Sequence, residues 1–143
     1  RHCRMPAMSE TNGHVGLILV SHSAKLAEGL ADLLSQVAGP TVPIVTAAGA
    51  VDGSLGTNGG AVLEAMQRAA ADGGAVVLVD LGSSILAVRA ALAELSDEEL
   101  ARVALADAPL VEGGMSAAVA ASTGCTLEEA VRAAEEARVV AKL

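Results

Sequence analysis

Two nearly unbroken apolar runs of strand length, 15–20 (VGLILV) and 75–81 (AVVLVDL), separated by segments with helical spacing, constrain this chain more than any other feature. A strand with one wet face alternates apolar and polar residues. A continuous run suits a strand covered on both faces, as in a parallel sheet with helices above and below. Between the two runs, 25–37 carries Leu26, Leu30, Leu33, Leu34 and Val37 at helical spacing, and Gly39-Pro40 stops it. The segment 42–47 (VPIVTA) reads as a second short strand, with Pro43 pointing to an edge position.

A glycine-rich loop, 48–60, precedes a helix over 61–71 whose Val62, Met66 and Ala69 face the sheet. Gly82-Ser83-Ser84 opens a further helix to about residue 95, with Ile85, Leu86, Val88 and Leu92 available for packing. An acidic turn at 96–100, a strand at 103–106 and helices near 113–122 and 127–142 complete the pattern, Thr126 and Glu129 forming a capping box for the last. Strands alternating with helices imply right-handed crossovers. The expected fold is therefore α/β and three-layered, an open, mainly parallel four- to five-stranded sheet with helices on both faces. Residues 1–14 (RHCRMPAMSETNGH) lack periodicity and read as a flexible leader, leaving 15–143 as one domain.

Composition removes several function classes. Nine Lys and Arg against 17 Asp and Glu give a net charge of −8, which argues against binding nucleic acid or acidic membrane surfaces. No Phe, Tyr or Trp is present, so aromatic stacking on bases or sugars is excluded and the core must be built from Ala, Val, Leu, Ile and Met. Cys3 and Cys125 show no metal spacing and read as reduced thiols of a cytoplasmic protein. The uncharged stretch 113–127 is too short and too rich in Gly, Ser and Thr to span a bilayer.

In an open parallel sheet the functional crevice lies at the carboxyl ends of the strands. That rule selects Ser21-His22-Ser23, the loop around Gly56-Thr57, and 80–84. His22 is the only histidine inside the expected domain, and a neutral imidazole nitrogen can accept a phosphoryl group while the other is hydrogen-bonded to fix its tautomer. Ser21, Ser23 and the amides of the following helix are candidate donors to phosphate oxygens. Asp80 is suited either to orient the imidazole or to cap the next helix. Gly82, Ser83 and Ser84 form a candidate donor nest, and Thr57 either donates a hydroxyl or caps the helix after it.

No GxxxxGK[ST] or GxGxxG occurs, which disfavours the usual nucleotide loops, and no HxxxH or cysteine pair offers a metal site. A Ser21-His22-Asp80 hydrolase is discarded because adjacent Ser and His side chains diverge and no GxSxG elbow is present. A receiver domain phosphorylated on Asp80 lacks the acidic pair it needs after the first strand. A tetrapyrrole metal chelatase would want a second internal histidine, and a purely structural or regulatory binding role remains open.

Taken in order, VGLILVSHSAKLAEGL, DGSLGT, LVDLGSS and APLVEGG resemble the DhaM phosphotransferase subunits of phosphoenolpyruvate-dependent dihydroxyacetone kinases, over nearly all of 15–138. Their first domain is similar to the mannose-type IIA (EIIA) domains of the sugar phosphotransferase system. The resemblance implies that His22 is the phosphorylated residue, that Gly56-Thr57 is the loop beside it, and that Asp80 is the acidic residue after the third strand. It further implies that the phosphocarrier HPr charges His22, and that the phosphoryl group passes to ADP held on the kinase's nucleotide-binding subunit. No tightly bound cofactor is then needed, and a homodimer is expected. Many such subunits carry HPr-like domains after the IIA domain, which leaves open whether this chain stands alone or belongs to a longer one. The alternative within the same chemistry is a IIA component of a mannose-type sugar permease that passes phosphate to a IIB protein.

Overall fold

The computed structural model describes residues 13–143. In chain order it contains β1 (Gly16–Ser21), α1 (Ala24–Ala38), β2 (Ile44–Ala48), α2 (Gly59–Ala71), β3 (Ala75–Val79), α3 (Gly82–Leu92), the one-turn α4 (Asp97–Leu100), β4 (Val103–Leu105), α5 (Leu110–Ser122), α6 (Leu127–Glu136) and a 3₁₀ turn at Ala137–Val139. The four strands form one sheet in the order β2-β1-β3-β4, and every pairing is parallel. This is the expected α/β architecture.

Period-two alternation sends successive β1 side chains to opposite faces. Leu17 and Leu19 join Val76 and Leu78 of β3 beneath α1, α5 and α6, whereas Ile18 and Val20 join Val77 beneath α2 and α3. All six β1 residues are buried. That explains why its sequence is a continuous apolar run.

Without aromatic rings, the layers close by bringing backbones near one another. A Cβ on Gly113 would lie 2.8 Å from Ala108 Cβ, and one on Gly114 would lie 3.1 Å from Leu34 Cδ1. These two glycines let α5 settle against α1 and α6. Alanines at 117, 118, 121, 130 and 134 fill the same seam.

Several boundaries depart from the sequence expectation. Asn58, not Thr57, caps α2 by accepting from the Ala61 amide, so that helix starts at Gly59. The turn at 96–100 contains a helical turn held by a reciprocal Ser96–Glu99 capping box. α3 stops at Leu92, α5 starts three residues earlier than expected at Leu110, and α6 ends at Glu136. The Thr126–Glu129 capping box is present as read.

On α1 only Ala27, Leu30, Leu34 and Ala38 are buried, while Leu26, Leu33 and Val37 face outward. The apolar stripe of this helix is wider than the surface it covers. Leu86 of α3, expected to pack, is also exposed. Residues 1–12 of the expected leader lie outside the described residues. His14, the last leader residue, donates from Nδ1 to the Ala121 carbonyl at 2.9 Å and is tied to the end of α5.

The neighbouring leucines of α1 provide a direct check, since Leu34 is 0% exposed and Leu33 is 48% exposed. Leu34→Ala should cost about 2–5 kcal/mol of unfolding free energy through lost burial and a cavity. Leu33→Ala should change it by no more than about 0.5 kcal/mol. Urea denaturation of the two variants measures both.

Candidate functional site

The chain leaves β1, crosses to β2 on one side, and returns to place β3 on the other side of β1. The strand order therefore reverses between β1 and β3, and the crevice opens at their carboxyl ends. Register fixes what meets there. Val20 pairs with Val79, and the Asp80 amide donates to the Val20 carbonyl at 3.1 Å. The next residues, Ser21-His22 from β1 and Asp80 from β3, are thereby side by side.

Asp80 is the hub. Its Oδ2 accepts from the Ser21 hydroxyl at 3.0 Å and the His22 amide at 2.9 Å. Its Oδ1 accepts from the Leu81 amide at 2.7 Å and the Ser84 hydroxyl at 2.8 Å. The His22 ring places Nδ1 at 3.1 Å from Oδ1 and 3.3 Å from Oδ2. Burial by itself opposes ionisation of this carboxyl. The donors, foremost the His22 amide, then the Ser84 hydroxyl, the His22 ring and the Ser21 hydroxyl, outweigh it and hold the Asp80 carboxyl far below the usual carboxylate range.

An ionised Asp80 settles the tautomer. A carboxylate only accepts, so the ring nitrogen facing it carries the proton, and in neutral imidazole Nε2 is left with the lone pair. Nε2 points to the start of α3, where Ser83 Oγ lies at 2.8 Å and its hydroxyl donates to that lone pair. The His22 side chain is 26% exposed against 9% for Asp80. The ring is thus partly open to solvent while the carboxylate that anchors it is nearly enclosed.

α3 begins at Gly82 with Leu81 as its N-cap and no side-chain cap. The amides of Gly82 and Ser83 in this first turn are available to an anion placed at Nε2. α1 differs, because Ser23 caps it by accepting from the Leu26 amide at 3.2 Å. The β2–α2 loop reaches the site through backbone alone. The Gly56 amide, with φ at +147°, donates to the His22 carbonyl at 2.9 Å.

The candidate residues from the sequence thus fall into three groups. His22, Asp80, Ser83 and Gly82 meet at the crevice. Ser21 is fully buried between Asp80 and the Ser23 amide, which donates to its Oγ at 3.1 Å, and Ser23 caps α1 through its oxygen, which leaves its hydroxyl able to donate. Thr57 is exposed and carries none of the hydrogen bonds that hold His22. Ser84 was legible only as part of a donor nest, yet it turns inward, completely buried, and contacts both Asp80 and the ring. Among the described residues no group of three or more His, Cys, Asp or Glu side chains is placed to hold a metal ion, and no helix is long and apolar enough to cross a membrane.

The depressed Asp80 pKa has a measurable consequence for stability. A carboxyl whose folded pKa lies below its unfolded value stabilises the fold above the unfolded pKa, and that contribution is lost as pH falls. Asp80→Asn should lower unfolding free energy near neutrality by about 2 kcal/mol. It should also make the decline between about pH 5 and pH 2 shallower than in the parent. Urea unfolding across a pH series reads both effects.

The family EIIA-man, described as PTS system fructose IIA component, matches residues 16–131. The DhaM phosphoryl donor subunit of PEP-dependent dihydroxyacetone kinase 2 from Listeria innocua is 38% identical over 105 residues, covering 73% of this chain and 84% of that protein. The DhaM phosphotransferase subunit of a PTS-dependent dihydroxyacetone kinase from Lactococcus lactis is 31% identical, covering 79% of this chain and 87% of that protein. The Escherichia coli DhaM phosphoryl donor subunit is 37% identical over 82% of this chain, which spans only 25% of the length of that protein. Among solved structures, the unknown-function protein EF1359 matches with a TM-score of 0.78 and 28% identity, over 86% of this chain and 94% of that one.

Proposed function

This chain belongs to the EIIA-man family and, within it, groups with the DhaM subunits of dihydroxyacetone kinases, and from that premise we propose that it is a phosphoryl carrier whose acceptor atom is His22 Nε2. The observation that carries the reading is the division of the ring into two edges. Nδ1 faces ionised Asp80, and Nε2 faces the uncapped first turn of α3.

In the first transfer the Nε2 lone pair attacks phosphorus in line with the bond to the donor. The N–P bond forms, the donor's bond breaks, and its electron pair leaves with the donor group. Ser83 releases Nε2, and its hydroxyl turns to a phosphoryl oxygen alongside the Gly82 and Ser83 amides. The proton on Nδ1 stays between the ring and Asp80. In the second transfer an acceptor oxygen attacks phosphorus, the N–P bond breaks, and its electron pair returns to Nε2. Because Nδ1 keeps its proton, the leaving group is neutral imidazole and not an imidazolate.

The donor we propose is phospho-HPr. The proposed acceptor is ADP on the nucleotide-binding subunit of dihydroxyacetone kinase, as the family resemblance implies; the relatives' names supply the kinase and the role of phosphoryl donor to it. All parties to such a relay meet in the cytoplasm. The chemistry needs no resident cofactor, only a transient phosphohistidine. A homodimer is part of the proposal, carried by the family resemblance. Transfer to a IIB protein of a sugar permease is the competing outcome, and the identity to DhaM subunits favours the kinase.

Incubation with phosphoenolpyruvate, enzyme I and HPr should place an acid-labile phosphoryl group on the His22 peptide, read by mass spectrometry. His22→Ala should abolish it, and labelling that persists would overturn the assignment. Ser83→Ala should still accept the group but slow its capture by about tenfold, the scale of one hydrogen bond to a charged group. Adding the ADP-loaded nucleotide subunit should discharge the carrier and form ATP, whereas discharge only to a IIB protein would move the chain to the permease branch.

A further inference from the structure

We infer that Ser84 is a positioning residue for the phosphoryl-carrying histidine: acting with Asp80, its buried hydroxyl holds the imidazole in one orientation, with the proton on Nδ1 and the lone pair on Nε2. The inference deepens the proposed function and rests on it for the reaction, though not for the geometry.

The distances around Nδ1 motivate it. A single charge-assisted N–H···O bond runs at about 2.7–2.9 Å. Here Nδ1 lies 3.1 and 3.3 Å from the two Asp80 oxygens and 3.2 Å from Ser84 Oγ. No one acceptor owns the proton. Three oxygens from two elements, the end of β3 and the first turn of α3, share it almost equally.

A serine hydroxyl beside a ring nitrogen can donate or accept, so alone it would suit either tautomer. Asp80 removes that freedom. Ser84 has one hydroxyl proton, and the shorter of its two contacts is the 2.8 Å bond to Asp80 Oδ1. With the proton given to the carboxylate, the oxygen presents a lone pair to Nδ1. Ser84 therefore accepts from the ring only because it donates to Asp80.

The hydroxyl also opposes a ring flip. Rotation about the terminal torsion of histidine is broad and roughly two-fold, so packing and hydrogen bonds must choose the orientation. A half-turn of His22 would swing Cδ2–H toward the carboxylate and Ser84, leaving three acceptors without their donor and turning Nε2 away from the start of α3. Ser84 is 0% exposed, which leaves water little room to replace its hydroxyl.

Ring nitrogen shifts of His22 in the ¹⁵N-labelled full chain test this without any partner protein, with His22→Gln identifying the signals. In the parent, Nδ1 should show the shift of a protonated nitrogen and Nε2 that of a bare one. In Ser84→Ala the two shifts should move toward each other as the flipped ring becomes populated, because only there does Nδ1 leave Asp80 and the second tautomer become accessible, and Ser84→Thr should restore the parent pattern. Phosphorylation of His22 in Ser84→Ala should lose about tenfold in kcat at unchanged KM for the phosphorylated donor. Should the alanine variant not fold, Ser84→Cys, which keeps the volume but weakens the donor, is read in the same way. Parent-like shifts in the folded variant, or a rate loss confined to KM, would overturn the role of Ser84. Altered shifts in a protein that never takes the phosphoryl label would leave Ser84 standing and remove the carrier reading alone.

Discussion

One carboxylate joins the elements that meet at the crevice. Asp80 ends β3, and its two oxygens accept from Ser21 at the end of β1, from the backbone and ring of His22, from Leu81 at the start of α3 and from Ser84 inside it. Among the described residues the buried polar side chains are Ser21 and Ser84, and both donate to this group. A buried hydroxyl without a partner is costly, and so is a nearly buried carboxylate without donors. Each makes the others affordable, so the cluster holds together as a unit. The imidazole is oriented by that unit and not by any single contact.

The sheet delivers this arrangement before any side chain takes part. A parallel pairing with Val20 opposite Val79 leaves residues 21, 22 and 80 protruding together from the same edge. The reversal of strand order keeps a crossover helix from covering them, since α1 leads away toward β2 and α3 starts on the opposite face. An aromatic-free core supports this geometry by close approach. The glycines and alanines of α5 allow the layer below to pack tightly on Leu17, Leu19, Val76 and Leu78, so the strands that carry His22 and Asp80 rest on a filled interior.

Much of this was legible in the sequence, for identifiable reasons. Continuous apolar runs report strands buried on both faces, and the polar residue that ends each run marks the crevice, which is how His22 and Asp80 stood out. Ser84 was harder to see. Glycine and serine after a strand describe a tight connection equally well, and only the phase of α3 decides that Ser83 faces Nε2 of His22 while Ser84 faces inward. The cap of α2 was ambiguous for a related reason. Thr57 and Asn58 are both competent caps, and the chain uses the asparagine oxygen, which leaves the threonine exposed. On α1, spacing identified an apolar face but not how much of it the sheet and α5 would cover. Leu26, Leu33 and Val37 follow the same period as Leu30 and Leu34, yet stay outside.

A phosphoryl relay, the role proposed for this chain, differs from an ordinary catalyst in that its intermediate must be neither too stable nor too labile, and the donors around Nε2 fit that demand. The edge of the ring that keeps its proton is matched with a full negative charge, whereas the groups available to a phosphoryl group at Nε2 are neutral, the Ser83 hydroxyl and the first-turn amides of α3. Hydrogen bonds from charged donors are about twice as strong as those from neutral ones. A lysine or arginine in that position would hold the phosphoryl group more tightly and raise the barrier to passing it on. In the proposed reaction neutral donors would orient the three oxygens for in-line attack while leaving the N–P bond as the weak link. A proton held on Nδ1 beside Asp80 and Ser84 would keep imidazole a good leaving group in the proposed second transfer. In the proposed carrier the strength of the site is thus placed on the nitrogen that would keep its proton, and its restraint on the one that would take the phosphoryl group.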